Sequence, residues 1–273
     1  MATIIKIEDD FDLEKIMYSG QVFTLKKEES GKEEPLYSVF SGDHFLNIKK
    51  ASSDTYEVSC SKEEFDSFWA NYFDLNRNYS KLRASLYGKN DFLDESLEFG
   101  KGLRILHQDP WEMIVTFIIS QRRSMAAIGC AVAKIVKMFG DERGGFVHFP
   151  TAECLAKASV ADVRACGVGY RAEYIIDAAQ KVLSGEISIS ECEKLSDEDL
   201  FLKLCEIKGV GEKVANCIML FGFGRTSRAP VDVWIKRVID EAFNGKNPFP
   251  DYGDVAGIVQ QYMFYWKTQH KDL

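Results

Sequence analysis

The sequence predicts an α+β chain: an N-terminal antiparallel β-sheet domain over residues 1–99, then a mostly helical region over 100–273. Three observations predict it. Short aromatic and β-branched runs crowd the first sixty residues. From about residue 100, apolar residues recur at helical spacing almost without a break. At about 197–223, two helical stretches are separated only by a short turn around Gly209-Val210-Gly211.

The expected strands are Gln21-Val-Phe-Thr-Leu, Leu36-Tyr-Ser-Val-Phe, His44-Phe-Leu-Asn-Ile and Thr55-Tyr-Glu-Val-Ser, with Ser41-Gly42-Asp43 as a hairpin turn. Residues 61–99 read as acidic helix, with Phe65, Phe68, Trp69 and Tyr72 forming an apolar stripe. Asp109-Pro110-Trp111-Glu112 has the N-cap, N1 proline and N3 acid of a helix start. That helix breaks at Ser120-Gln121-Arg122-Arg123-Ser124, a polar and basic interruption between two very apolar helices, as expected of a segment that faces a partner. Asp141 to Pro150 reads as a Gly-rich loop, with Thr151 and Ser159 capping the short helices that follow. Gly169-Tyr170-Arg171-Ala172 opens a longer helix to Leu183, and a last helix is expected from Val255 to Lys267.

The hairpin carries the chemistry. Ser196 and Asp199 cap its first helix, which stops at Ile207-Lys208-Gly209-Val210-Gly211. Two glycines around one apolar residue suit a tight turn that brings backbone N–H groups to the surface. With the next helix N-terminus they form an anion site, suited to a nucleic-acid phosphate touched without reading sequence. Lys213 stands in the first turn of that helix, where the dipole favours an uncharged amine, and an uncharged amine is a nucleophile. Pro230-Val231-Asp232 opens a third helix; Asp232 suits an N-cap and is also a candidate to face Lys213.

Composition sets limits. The net charge of −8 argues against nucleic acid on a naive reading, but residues 1–99 alone hold twenty acidic and twelve basic residues. Residues 201–237 hold seven bases against three acids, so the hairpin region is locally basic and salt-sensitive DNA binding is expected. Seven scattered cysteines without a C-x-x-C pair read as reduced thiols of a cytoplasmic protein. Four scattered histidines suggest no zinc site. No apolar run is long enough for a bilayer, and no signal peptide is read at MATIIKIEDD.

The Gly-Val-Gly turn, the lysine of Gly-Glu-Lys-Val-Ala-Asn-Cys and the later Pro-Val-Asp together resemble the helix-hairpin-helix Gly/Pro–Asp superfamily of DNA glycosylases, and within it the bacterial 8-oxoguanine DNA glycosylases. The resemblance implies a bifunctional glycosylase and AP lyase acting in base excision repair on double-stranded DNA with a damaged base. Lys213 and Asp232 would be its catalytic residues. It implies that the carbonyl of Gly20, in Tyr18-Ser19-Gly20-Gln21-Val22-Phe23, accepts the N7–H of the oxidised purine. Gln260 would bond the base edge and Phe264 stack on it, although Gln261 and Tyr265 repeat the same spacing. Cys217, one turn beyond Lys213, would contact lysine and base. Tyr170 resembles the family's wedge, with Arg171 beside it, and Lys208, Gly209, Val210 and Gly211 would meet DNA. Arg122 stands where mammalian-type enzymes have asparagine, and Ala127 where they have the arginine that reads cytosine, so strict preference for cytosine opposite the lesion is not implied.

No cofactor is required on this reading. Backbone carbonyls of the hairpin, Lys208 and Val210 among them, offer a site for a monovalent cation. A monomer with no membrane partner is expected, cytoplasmic and working on the nucleoid. The alternatives share the hairpin. An endonuclease III-like enzyme typically carries a C-terminal iron–sulfur cluster, whereas the last cysteine here is Cys217. Alkylpurine glycosylases usually lack the lysine. A non-catalytic hairpin module would form no imine.

Overall fold

The structure is a computed structural model that describes residues 2–28, 34–143 and 145–271. Contacts group the chain into two units that cross the sequence order. One comprises Met1–Phe40, Phe45–His107 and Thr226–Leu273; the other comprises Ser41–His44 and Gln108–Arg225. This differs from the expected division between residues 99 and 100, because the C-terminal segment returns to the N-terminal one. Gly100 shows why: a Cβ there would lie 2.4 Å from the ring of Tyr262, so only glycine lets the last helix come this close.

The first unit is built on a five-stranded sheet: β1 (Thr3–Lys6), β2 (Lys26–Glu28), β3 (Leu36–Ser41), β4 (His44–Lys50) and β5 (Thr55–Val58), in the order β1-β5-β4-β3-β2. Antiparallel pairing sets Thr3 opposite Val58, Ile48 opposite Val58 and Lys27 opposite Tyr37. Tyr37 and Val39, Leu46 and Ile48, and Tyr56 and Val58 are buried pairs two residues apart, as one face of a pleated sheet requires. β1 and the helix Leu13–Tyr18, capped by the Asp12 carboxylate, were not expected from the sequence. Gln21–Leu25, expected as a strand, is not one. Gln21 is buried instead, its side chain bonding the chain around it, and pairing starts only at Lys26.

Phe65, Trp69 and Tyr72 are buried as their stripe predicts, on a helix that contains a π turn over Phe65–Trp69. Arg104 is almost wholly buried. It donates to the carbonyls of Asp10 at 2.5 Å and Asp74 at 2.7 Å, reaches the Asp9 carboxylate at 2.9 Å, and lies over the Tyr79 ring. A buried guanidinium needs this many acceptors, because an unpaired charge in a dry interior is strongly unfavourable.

The second unit is helical. Asp109 caps Pro110–Ser120 through the Glu112 N–H at 2.8 Å, and every residue from Glu112 to Ser120 is buried. Met125–Phe139, Arg171–Leu183, Asp197–Cys205 and Glu212–Phe221 are its other long helices. The expected loop at 141–150 contains a two-stranded ribbon, Asp141 opposite His148 and Arg143 opposite Phe146; Gly145, with φ 83°, supplies the reversal. The last helix, in the first unit, runs Ala256–Gln269.

Candidate active site

In the helical unit the hairpin forms as its sequence requires. Ser196 Oγ accepts the Asp199 N–H at 3.1 Å, starting Asp197–Cys205. Leu204, Ile207, Val210, Val214, Cys217, Ile218 and Phe221 are buried, which holds the two helices against one core. The turn between them is exposed at Lys208, Gly209 and Gly211. Gly209 has φ 81°, and a Cβ there would fall 2.2 Å from the Tyr174 ring, so both conformation and packing require glycine. The Lys208 N–H donates to Asp177 at 2.8 Å, and its ammonium lies 5.8 Å from the Tyr174 ring centre. The N–H groups of Gly209 and Gly211 find no acceptor among the described residues. They are outward-facing donors at a helix N-terminus, which is what an anion needs.

Lys213 is half-buried in the first turn of Glu212–Phe221. Its ammonium stands 5.5 Å from the centre of the Phe117 ring, which in turn stacks on Phe221 at 5.4 Å. Phe117 was not singled out from sequence; its apolar spacing in Pro110–Ser120 was the available signal. Cys217 is buried on the same helix.

Tyr170 is half exposed at the start of Arg171–Leu183 and meets Tyr174 edge to face at 5.7 Å. Arg171, expected to meet DNA, is buried with its guanidinium 4.5 Å from the Tyr170 ring centre. It donates to the carbonyl of Val168 at 3.1 Å and to that of Gln121. Arg122 is exposed at the break after Ser120, with φ 52°, a region non-glycine residues rarely occupy.

The other unit holds the remaining candidates. Gly20 has φ 78° and hangs between two anchored residues. Ser19 is fixed because its carbonyl accepts from Gln261 Nε2 at 2.6 Å. Gln21 is fixed three times: its amide donates to Ser19 Oγ at 2.8 Å and to the Arg104 carbonyl at 2.9 Å, and its oxygen accepts the Leu106 N–H at 2.8 Å. The Gly20 carbonyl itself accepts nothing among the described residues.

The two rival pairs on the last helix now differ. Gln261 is spent on Ser19, and Tyr265 is buried against Phe99 at 5.3 Å. Gln260 is also buried, but its Oε1 has no hydrogen-bond partner among the described residues. Phe264 is half-buried and takes no ring partner among them. Asp232 caps Val233–Ala242 through the N–H groups of Trp234 at 3.0 Å and Ile235 at 2.9 Å, both on Oδ1. Lys213 and Cys217 therefore belong to one unit, and Asp232, Gly20, Gln260 and Phe264 to the other. Among the described residues, no group of three or more His, Cys, Asp or Glu side chains is placed to hold a metal ion. No helix among them is long and apolar enough to cross a membrane.

The helical unit thus offers a turn with open backbone donors and a lysine one turn behind it, and the other unit a glycine carbonyl left open. Residues 115–260 match the family described as the HhH-GPD superfamily of base excision DNA repair proteins, and the chain belongs to that family. More particularly, residues 3–114 match the N-terminal domain of 8-oxoguanine DNA glycosylase. A probable N-glycosylase/DNA lyase of Methanothermobacter thermautotrophicus is 32% identical over 226 residues, covering 70% of this chain and 71% of that one. The N-glycosylase/DNA lyase OGG1 of Arabidopsis thaliana is 30% identical, covering 90% and 74%. The solved 8-oxoguanine glycosylase/lyase of Clostridium acetobutylicum, in complex with double-stranded DNA containing cytosine opposite 8-oxoG, superposes with a TM-score of 0.88 at 28% identity over 98% of each chain.

Proposed function

We infer that this chain is a bifunctional DNA glycosylase and AP lyase that removes 8-oxoguanine from duplex DNA in base excision repair. The observation that carries the reading is Lys213 in the first turn behind an open Gly-Val-Gly turn, in a chain whose residues 3–114 match the 8-oxoguanine glycosylase N-terminal domain and 115–260 the HhH-GPD family. The hairpin holds the strand by its phosphates, and the damaged nucleotide leaves the stack. Tyr170 offsets part of the unstacking, which is unfavourable by a few kcal/mol. The Gly20 carbonyl accepts the N7–H that distinguishes 8-oxoguanine from guanine. Gln260 Oε1, buried without a partner, meets the pairing edge of the base, and Phe264 packs on its face.

Lys213 Nζ then attacks C1′ and the C1′–N9 bond breaks, the electron pair leaving with the base, which is protonated. Ring opening leaves an imine between Nζ and C1′. Loss of the C2′ proton expels the 3′ oxygen, which cuts the strand. Asp232, with Oδ2 unused by the cap, stabilises charge on the sugar and assists the proton transfers. Cys217, on the face of the same helix, lies beside the lysine's path. Hairpin carbonyls would hold a monovalent cation. The protein acts as a cytoplasmic monomer on chromosomal DNA.

Borohydride trapping tests the reading. Wild-type protein is expected to become covalently joined to a duplex containing 8-oxoguanine, and Lys213→Gln to bind that duplex with no adduct and no excision. Excision unchanged in Lys213→Gln would remove the lysine from the mechanism.

A further inference from the structure

One row of side chains on the helix Arg171–Leu183 runs along the hairpin turn. Counting from Tyr170, at the N-terminus of that helix, Tyr174, Asp177 and Lys181 follow at steps of four, three and four residues, which lines them up on one face. Each meets a different part of the turn. The Tyr174 ring lies against Gly209, where a Cβ would fall 2.2 Å from it. The Asp177 carboxylate accepts the Lys208 N–H at 2.8 Å. The Lys181 ammonium donates to the Glu206 carbonyl and stands 3.6 Å from Asp177. A backbone N–H and a backbone C=O of the turn are thus held by an acid and a base that also hold each other. At the other end of the row, Tyr170 meets Tyr174 edge to face at 5.7 Å. The row spans about 16 Å at the helical rise, from the half-exposed Tyr170 ring to the start of the turn.

Resting on the glycosylase reading, we propose that Asp177 and Lys181 are positioning residues for base extrusion: they join the phosphate-gripping turn to the Tyr170 helix, so that gripping the strand and driving in the wedge become one step. A ring pushed into a base stack meets a resistance of about a few kcal/mol. It stays there only if the helix behind it bears on something fixed to the DNA. The N–H groups of Gly209 and Gly211 are what the protein fixes to the strand, and the row ties the helix to the peptide just ahead of them. Without the tie, the turn still offers those N–H groups to phosphate, because they take no part in it. The helix can then slide against the turn instead of transmitting the push. The tie needs an acceptor oxygen at 177 more than it needs a charge, since its donor is a neutral N–H. The Asp177–Lys181 pair is partly exposed, and such pairs add little by themselves.

Grip and extrusion are measured separately in wild type, Asp177→Ala, Asp177→Asn, Lys181→Met, Tyr170→Ala and the double variant Tyr170→Ala/Asp177→Ala. Grip is affinity for an undamaged duplex, from fluorescence anisotropy. Extrusion is the rate at saturating protein, followed by 2-aminopurine placed beside 8-oxoguanine. Asp177→Ala should bind the undamaged duplex at least as tightly as wild type and extrude about tenfold more slowly, the equivalent of one hydrogen bond to a charged group. Asp177→Asn keeps an acceptor oxygen and should extrude like wild type. Lys181→Met should slow extrusion by a smaller factor, which keeps the proposal open to refutation where Asp177→Ala folds poorly. In Tyr170→Ala no wedge remains to brace, so adding Asp177→Ala should slow extrusion no further. Extrusion unchanged in both Asp177→Ala and Lys181→Met, Asp177→Asn as slow as Asp177→Ala, grip lost in step with extrusion, or an additive loss in the double variant would each overturn the proposal. Absence of extrusion and excision in wild type would instead reject the glycosylase reading itself.

Discussion

Gly209 and Gly20 have nearly the same backbone, φ 81° and φ 78°, yet opposite surroundings hold them. Gly209 sits in a turn made by residues close in sequence, open to solvent, with one ring beneath it. Gly20 is held by Gln21, Arg104, Leu106 and Gln261, residues separated by up to 242 positions and mostly buried. The first is a local device that, on the proposed reading, would grip any DNA strand. The second is a tertiary device, and the role proposed for the Gly20 carbonyl would need that rigidity, since a carbonyl that can drift cannot tell N–H from a bare nitrogen.

Breaking the second device should have the largest effect. Gln21→Leu leaves the Leu106 N–H and the Arg104 carbonyl buried without partners, each unfavourable by about 1–3 kcal/mol, so a loss of about 4 kcal/mol is expected in urea unfolding. Next comes Gly209→Ala. Its Cβ meets Tyr174 in a conformation alanine dislikes, for a loss of about 2–3 kcal/mol. Affinity for undamaged duplex should fall with it, whereas Gln21→Leu at a permissive temperature should bind undamaged duplex normally. Gln261→Met removes one bond to Ser19 and should lower stability by only about 1–2 kcal/mol. Its sharper readout is selectivity: excision of 8-oxoguanine should fall while binding to an abasic duplex stays. The smallest effect is on pH. Burial holds the His107 imidazole below its ordinary 6.5, so its contribution is present above that pH and is lost as the pH falls through the folded-state value. Melting followed from pH 8 to pH 5 should decline by on the order of a few degrees below pH 6.5, and His107→Gln should flatten that decline.

The same contrast explains what could be read from the sequence. The hairpin, its caps, the strand hairpin around Gly42 and the Asp109 helix start are all determined within a few residues, and each formed as its pattern predicts. Gln21 was mistaken for a strand residue because its partners lie 83 and 85 positions away and no local pattern marks them. The choice between Gln260 and Gln261 was open for the same reason: the spacing is identical, and only the partner at Ser19 separates them. That Arg171 is buried against the carbonyls of Val168 and Gln121 was not legible either, because backbone carbonyls carry no signature in the side-chain sequence. The return of residues 226–273 to the N-terminal unit likewise follows from contacts such as Gly100 against Tyr262, visible only once the chain is folded.

That return has a consequence during synthesis. The lysine-bearing helix is finished at Phe221, while the clamp on Ser19 must wait for Gln261 to emerge. On the proposed reading, a nascent chain would have its nucleophile about forty residues before the bond that fixes Ser19 can form.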